Sequence, residues 1–265
     1  MIRLQATCRL LVLPLFAASI ASAQEPPAST EVTTEPRESI KAVEGEHVFT
    51  GTEGHPLDYR LELPRELEEA VRYPLVLCLH GAGGGTQAGR VLRKRQPEPC
   101  FVLVPSVRTK EFSWAGKRIK AIPTVLELID GLLERLPIDP DRIYVTGQSM
   151  GGQGTWGAIA ARPDFFAAAV PVCGGWQTSD AERIKHVPVW VFHGDADKVV
   201  PTRYSREMIE ALRKVGGTPK YTEYPGVSHN SWTRAYDTEA LWTWLFEQRR
   251  NTPASEEAVE ASPGS

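Results

Sequence analysis

The sequence predicts one α/β domain, a mostly parallel sheet with helices on both faces. Two observations carry this expectation. Short continuous apolar runs, such as YPLVLCLH at Tyr73–His80 and CFVLVPS at Cys100–Ser106, recur along the chain. Each ends in Gly, Pro or a polar loop, as strands covered on both faces do. Between the later runs lie stretches whose apolar residues fall three and four apart, the helical period. Strands alternating with helices make the βαβ pattern of a parallel sheet. In such sheets the ligand crevice lies beyond the carboxyl ends of the strands.

The elements follow in order. EHVFT and DYRLELP, joined by Gly51–Pro56, read as an antiparallel hairpin at the N-terminal side. Tyr73–His80 and Cys100–Ser106 read as core strands. IKAIPTVLELIDGLLERL reads as a helix starting near Pro123, where proline suits the first turn. DRIYVTG is a strand, and MGGQGTWGAIAARP a helix with small residues on its first turns. FAAAVPVCGG, VPVWVFHG and PKYTEYPG are further strands. TRYSREMIEALRKVGG is an amphipathic helix with a glycine stop. RAYDTEALWTWLFEQRR is read as one last helix.

The ends differ from this middle. Residues 1–23 read as a signal peptide: Arg3 and Arg9, then the apolar run LLVLPLFAASIA, then Ala21-Ser22-Ala23 as the cleavage site. Residues 24–45 lack periodicity and are rich in Pro, Ser, Thr and Glu, which reads as a disordered linker. Residues 252–265 read as a disordered acidic tail. Residues 46–250 remain for the catalytic domain, an ordinary size for one domain. The expected location is secreted or periplasmic, with no membrane span once the signal is removed.

Net charge is −3 and no basic stripe runs through the chain, which argues against nucleic acid as a partner. The one basic cluster, RVLRKRQ at Arg90–Gln96, reads as a solvated helix face. Past the signal, Cys78, Cys100 and Cys173 remain. A disulfide between Cys78 and Cys100 is one reading; small buried hydrophobes is the other. The six histidines share no recurrent short spacing and the cysteines form no C-x-x-C, so neither a metal nor any other cofactor is expected.

The chemistry gathers at strand ends. Gly147-Gln148-Ser149-Met150-Gly151 is G-x-S-x-G, set directly after a strand and opening a helix. A turn that tight strains its central residue and raises a serine hydroxyl clear of the sheet at a helix N-terminus. A serine needs a base. VFHGDADKVVP leaves Asp195 and Asp197 in the loop after one strand, and YPGVSHNSW leaves His229 after the next. His229 would take the serine proton, and an aspartate would hold its tautomer. Spacing leaves the choice of aspartate open, since Asp195 could instead bond its own loop. LHGAGGG at Leu79–Gly85 is a second glycine-rich strand end. It suits an oxyanion hole, with one N–H from Ala82, Gly83 being close behind, and the other from Met150. A phosphate cradle fits poorly, because no G-K-[ST] follows.

The order Ser, Asp, His is that of α/β-hydrolases. IDPDRIYVTGQSMGGQGTWGAIAARPDFFAAAVPVCGG, then PVWVFHGDADKVVP, then YTEYPGVSHNSW, resembles secreted carboxylesterases related to polyhydroxybutyrate depolymerases and feruloyl esterases. Sequences of this kind are also labelled prolyl-oligopeptidase-like or dienelactone-hydrolase-like. The resemblance spans roughly residues 46–250. It implies an α/β-hydrolase fold, Ser149 as nucleophile, His229 as base and Asp197 rather than Asp195 as acid. It also implies an oxyanion hole at Ala82 and Met150. The expected activity is ester hydrolysis through an acyl-enzyme, on a small-molecule or polymeric ester. The alternatives are a peptidase of the prolyl-oligopeptidase-like type and a non-catalytic binding scaffold. WQTSDAERIK reads as only a short linker to the next strand, with no room for a lid, so an open site is expected. Gln148, Trp114, Trp176 and Trp232 are the expected substrate-binding residues, the tryptophans with half-buried packing as the rival reading. Oligomeric state and the natural ester stay open.

Overall fold

The computed structural model describes residues 43–250, except 69, 96, 108–111 and 115–118. The expected signal peptide, nearly all of the linker and the acidic tail lie outside the described residues.

The sheet begins with the expected hairpin. Strand β1 (Gly45–Thr50) pairs antiparallel with β2 (Pro56–Glu62), and β2 pairs antiparallel with β4 (Phe101–Ser106). Strands β3 (Tyr73–Leu79), β7 (Ile138–Gln148), β8 (Ala168–Val172), β9 (Trp190–Gly194) and β10 (Lys220–Tyr224) complete it. The order is β1-β2-β4-β3-β7-β8-β9-β10, and from β4 onward every pairing is parallel. Two-residue strands β5 (Phe112–Ser113) and β6 (Ile119–Lys120) pair apart from this sheet. The eight strands, mostly parallel with helices on both faces, make an α/β-hydrolase fold.

Strand β3 shows why both faces must be covered. All seven of its residues are buried. Leu75, Leu77 and Leu79 face one core, while Val76 and Cys78 face the other. The first core is closed by α2 (Ile122–Arg135), α3 (Met150–Ala161), α4 (Ala181–Ile184) and α5 (Arg203–Lys214). The second is closed by α1 (Gln87–Arg95), α6 (Trp232–Asp237) and α7 (Glu239–Glu247). Each leucine so buried contributes about 1.5–3 kcal/mol relative to exposure.

Two helices illustrate the local causes. In α2, Pro123 stands in the first turn and Val125, Leu126, Leu128, Ile129 and Leu132 are buried at helical spacing. In α5, Ser205, Met208, Ile209 and Leu212 form the buried stripe. That helix stops because Gly216 takes φ +88°, letting Gly217 N–H donate to Leu212 O at 2.8 Å.

Two expectations need correction. The last helix is two helices, broken where Thr238 turns extended at φ −77°, ψ 110°. Thr238 occupies the N-cap of α7, with Glu239 in the first turn, so a helix start lies inside what the apolar spacing read as continuous. The segment before β9 is not bare linker: Thr178–Asp180 makes a 3₁₀ turn and α4 one further turn. Of the two readings of the cysteines, the structure has the second: Cys78, Cys100 and Cys173 are buried and none forms a disulfide.

Strand β10 is tied to α5 by charge. Arg206 Nε donates to Glu223 Oε2 at 2.9 Å, and Tyr221 Oη to the same oxygen at 2.5 Å. The Arg206 bond is the main reason the Glu223 carboxyl is lowered to about 2. A carboxyl lowered in the folded chain adds stability above its unfolded value, about 4.3. That contribution is lost as pH falls from there toward 2. Glu223→Gln is therefore expected to lower Tm at pH 7 by no more than about 2–4 °C. The gap to the wild type should narrow below about pH 4 and close only near pH 2 in thermal melts.

Candidate active site

Ser149 sits between the end of β7 and the start of α3. Its backbone has φ 56° and ψ −116°, a left-handed φ that a residue with a Cβ adopts only under strain. Ser149 N–H donates to Val172 O at 2.9 Å, and its carbonyl accepts from Gln153 N–H at 3.0 Å, so the turn is held from both sides. Glycine makes the crowding tolerable. A Cβ on Gly151 would stand 2.1 Å from Leu79 O, and one on Gly147 would stand 2.3 Å from Gly151 O. Both contacts are with backbone that cannot yield.

His229 and Asp197 come to this serine from two loops. His229 Nε2 lies 2.8 Å from Ser149 Oγ, and His229 Nδ1 lies 2.7 Å from Asp197 Oδ2. The loops after β9 and β10 meet because Gly194 has no side chain; a Cβ there would stand 2.1 Å from Val227 O. Asp197 has no exposed side-chain surface, and its Oδ1 accepts from Val199 N–H at 2.8 Å and Val200 N–H at 2.9 Å. Burial pushes its carboxyl up, but the bonds from His229, Val200 and Val199 outweigh burial and hold it below the ordinary range. Asp197 is therefore an anion at neutral pH. Asp195 does something else: its Oδ1 accepts from Gly226 N–H at 2.7 Å, closing the turn after β10.

The second glycine-rich loop abuts the same turn. A Cβ on Gly81 would stand 3.6 Å from Ser149 Cβ. Among the described residues, neither Ala82 N–H nor Met150 N–H has a backbone acceptor. His80, which sequence reasoning passed over, organises this loop. Its Nδ1 lies 2.7 Å from Gly81 O, and its Nε2 lies 3.0 Å from Val107 N. A carbonyl only accepts and an amide only donates, so the ring is neutral with its proton on Nδ1. Burial also favours the neutral ring by lowering its titration. Gly81 C=O and Ala82 N–H belong to one peptide plane, so holding the first orients the second.

The expected substrate residues part company. Trp232 stays at the site, its ring edge-on to His229 at 5.3 Å between centroids. Gln148 Oε1 accepts from Gln87 N–H at 3.0 Å, tying the serine turn to the start of α1. Trp114 is fully buried, with Nε1 donating to His80 O at 2.8 Å and its Cβ in the space a side chain on Gly154 would fill. With Trp176 it lines a groove of about 570 Å³ beside Gly157, Ala160 and Ala161. Those residues lie about 12–18 Å along α3 from Ser149, at 1.5 Å per residue. Trp114 and Trp176 thus both flank α3.

Cys173, at the end of β8, brings its thiol within 4.8 Å of ligand atoms of Asp197 and His229. The sequence spacing gave no sign of this group, whose members lie far apart in the chain. The set suits a resident cation poorly. Asp197 and His229 already bond each other, and burial pushes the Cys173 thiol up to about 12, so it keeps its proton.

The family model for the dienelactone hydrolase family matches residues 70–261. The chain belongs to the dienelactone hydrolase family. Other members of its neighbourhood agree with the fold. The crystal structure of a thermostable esterase is 37% identical, with a TM-score of 0.73 over 79% of this chain and 64% of that one. A bifunctional acetylxylan esterase/xylanase of Neocallimastix patriciarum is 27% identical over 72% of this chain. An uncharacterized secreted protein of Arthroderma benhamiae is 28% identical over 61% of it. This chain spans 28% and 22% of those two relatives' own lengths.

Proposed function

We propose that this family member is a secreted serine hydrolase that cleaves carboxylic esters through an acyl-enzyme. The observation that carries the reading is the unbroken run of short hydrogen bonds from Ser149 Oγ through His229 to buried Asp197, at 2.8 and 2.7 Å. The esterase names of two relatives support the substrate class, and the secreted relative supports the location.

In this reading, His229 Nε2 takes the Ser149 hydroxyl proton as Oγ attacks the ester carbonyl carbon. The carbonyl oxygen becomes an oxyanion and accepts from Ala82 and Met150 N–H. Asp197 stabilises the imidazolium, and its position fixes the Nδ1–H tautomer that leaves Nε2 free to act as base. The imidazolium then gives its proton to the departing alkoxide, leaving an acyl group on Oγ. Water, deprotonated by His229, attacks that acyl carbon, releases the acid and restores Ser149.

The test joins turnover to labelling. The protein is expected to hydrolyse p-nitrophenyl acetate and butyrate, and a fluorophosphonate probe should mark it once, on the peptide bearing Ser149. Absence of turnover together with absence of the Ser149 adduct would overturn the proposal in favour of a binding scaffold.

A further inference from the structure

We propose that His193 is a positioning residue for the acid of this site, donating a hydrogen bond from Nε2 to Asp197 Oδ2, the oxygen that His229 also bonds. The inference rests on the reading of Asp197 as the acid.

The geometry is specific. His193 is fully buried at the end of β9, four residues before Asp197. Its Nε2 lies 2.9 Å from Val200 O and 3.1 Å from Asp197 Oδ2. Val200 O can only accept, so the proton must sit on Nε2. That proton is shared between the carbonyl and the carboxylate. On the far side of the ring, Nδ1 lies 2.7 Å from Ser205 Oγ on α5. With Nε2 protonated and the ring neutral, Nδ1 accepts from the Ser205 hydroxyl. Burial lowers the titration of His193 more than Asp197 and Val200 raise it, which agrees with a neutral ring.

The polar path is therefore longer than three residues. It runs from Ser205 through His193 to Asp197, then through His229 to Ser149. Asp197 Oδ2 receives one N–H from each imidazole, and Oδ1 receives the Val199 and Val200 N–H groups. Four donors hold both oxygens in place, so the carboxylate cannot rotate about its own axis without losing bonds. The loop itself is also wound around the ring: Val200 both donates to Asp197 and accepts from His193, while Thr202 Oγ1 returns to Gly194 O at 2.6 Å. The remaining ionisable neighbours are Cys173 from β8, which faces Asp197, and Glu223, which pairs in register with His193 on β10. Glu223 is an anion with no donor to give, and the Cys173 thiol is only a weak one.

A donor to a carboxylate spreads its negative charge. Removing it concentrates that charge on Oδ2 and favours the imidazolium of His229. Two variants separate this from a merely structural role. In His193→Gln the amide nitrogen stands near the Nε2 position and keeps a donor toward Asp197. In His193→Asn the shorter side chain keeps a partner for Ser205 but does not reach Asp197.

The measurement is ¹⁵N and ¹H NMR of the imidazoles in the full chain, which needs no substrate. In the wild type, His193 should be the neutral Nε2–H tautomer throughout the range in which Asp197 is ionised. In H193N the His229 titration midpoint should rise by roughly 0.5–1 pH unit, and in H193Q it should stay with the wild type. The acid limb of kcat/KM for p-nitrophenyl acetate should follow the same order, with kcat about tenfold lower in H193N and KM little changed. An Nδ1–H tautomer or a charged ring at His193 would overturn the inference, whether or not either variant folds. So would coincident His229 midpoints in all three proteins. If the wild type turns over no ester, the functional reading fails while the NMR comparison still decides the role of His193.

Discussion

Ser149→Ala is expected to lower kcat/KM for p-nitrophenyl acetate by roughly 10⁴ to 10⁶, with the fold intact. The size follows from what is removed. Without Oγ no acyl group can be carried, and His229 Nε2 loses the hydroxyl it holds at 2.8 Å. What remains is the proposed oxyanion donors and water, which give only residual acceleration. Alanine has the same Cβ as serine, so the strain at φ 56° neither grows nor is relieved. Thermal melts of wild type and variant should agree within a few degrees. Equal esterase rates in the two proteins would exclude Ser149 as nucleophile.

Asp197→Asn is expected to lower kcat by about 10⁴ while leaving KM nearly unchanged. The reason lies in donor and acceptor placement. Oδ1 of Asp197 accepts two backbone N–H groups, so the amide oxygen of asparagine must take that place. The amide NH₂ then faces His193 and His229, where two N–H groups already point. His229 can relieve the conflict only by moving its proton to Nε2. That tautomer offers Ser149 a donor rather than a base. Asp195→Asn, which touches only the Gly226 turn, should keep kcat within about threefold of the wild type. Steady-state kinetics on both variants check the contrast, and a larger loss for Asp195→Asn would reverse the assignment.

Much of this architecture was legible because its causes are local. Strands such as β3 are continuous apolar runs with hard stops; α2 carries its first-turn proline, α5 its glycine stop, and each its buried stripe, in its own sequence. The serine turn announces itself through glycines whose absent side chains leave room for backbone at 2.1–2.3 Å. The choice between Asp195 and Asp197 was not local. Both lie in one loop, and only the approach of that loop to Val227 and His229 separates a turn-former from a partner of the imidazole. Trp114 was illegible for the same reason. The slot for its indole is made by Gly154, forty residues away in sequence. His80 and His193 had a weak signal that could have been used: each is a histidine closing a continuous apolar run, where an unpaired polar ring would be costly. The break at Thr238 was masked because α6 and α7 share apolar spacing across it.

The central claim is that Ser149 Oγ carries the acyl group. Rapid mixing with p-nitrophenyl acetate, acid quench and mass spectrometry of the intact chain and its peptides tests it directly. The expected result is a burst of about one equivalent of p-nitrophenol, matched by one acetyl group on the peptide bearing Ser149. Steady release of p-nitrophenol with no acetylated peptide, or an acetyl group on any other residue, would contradict it.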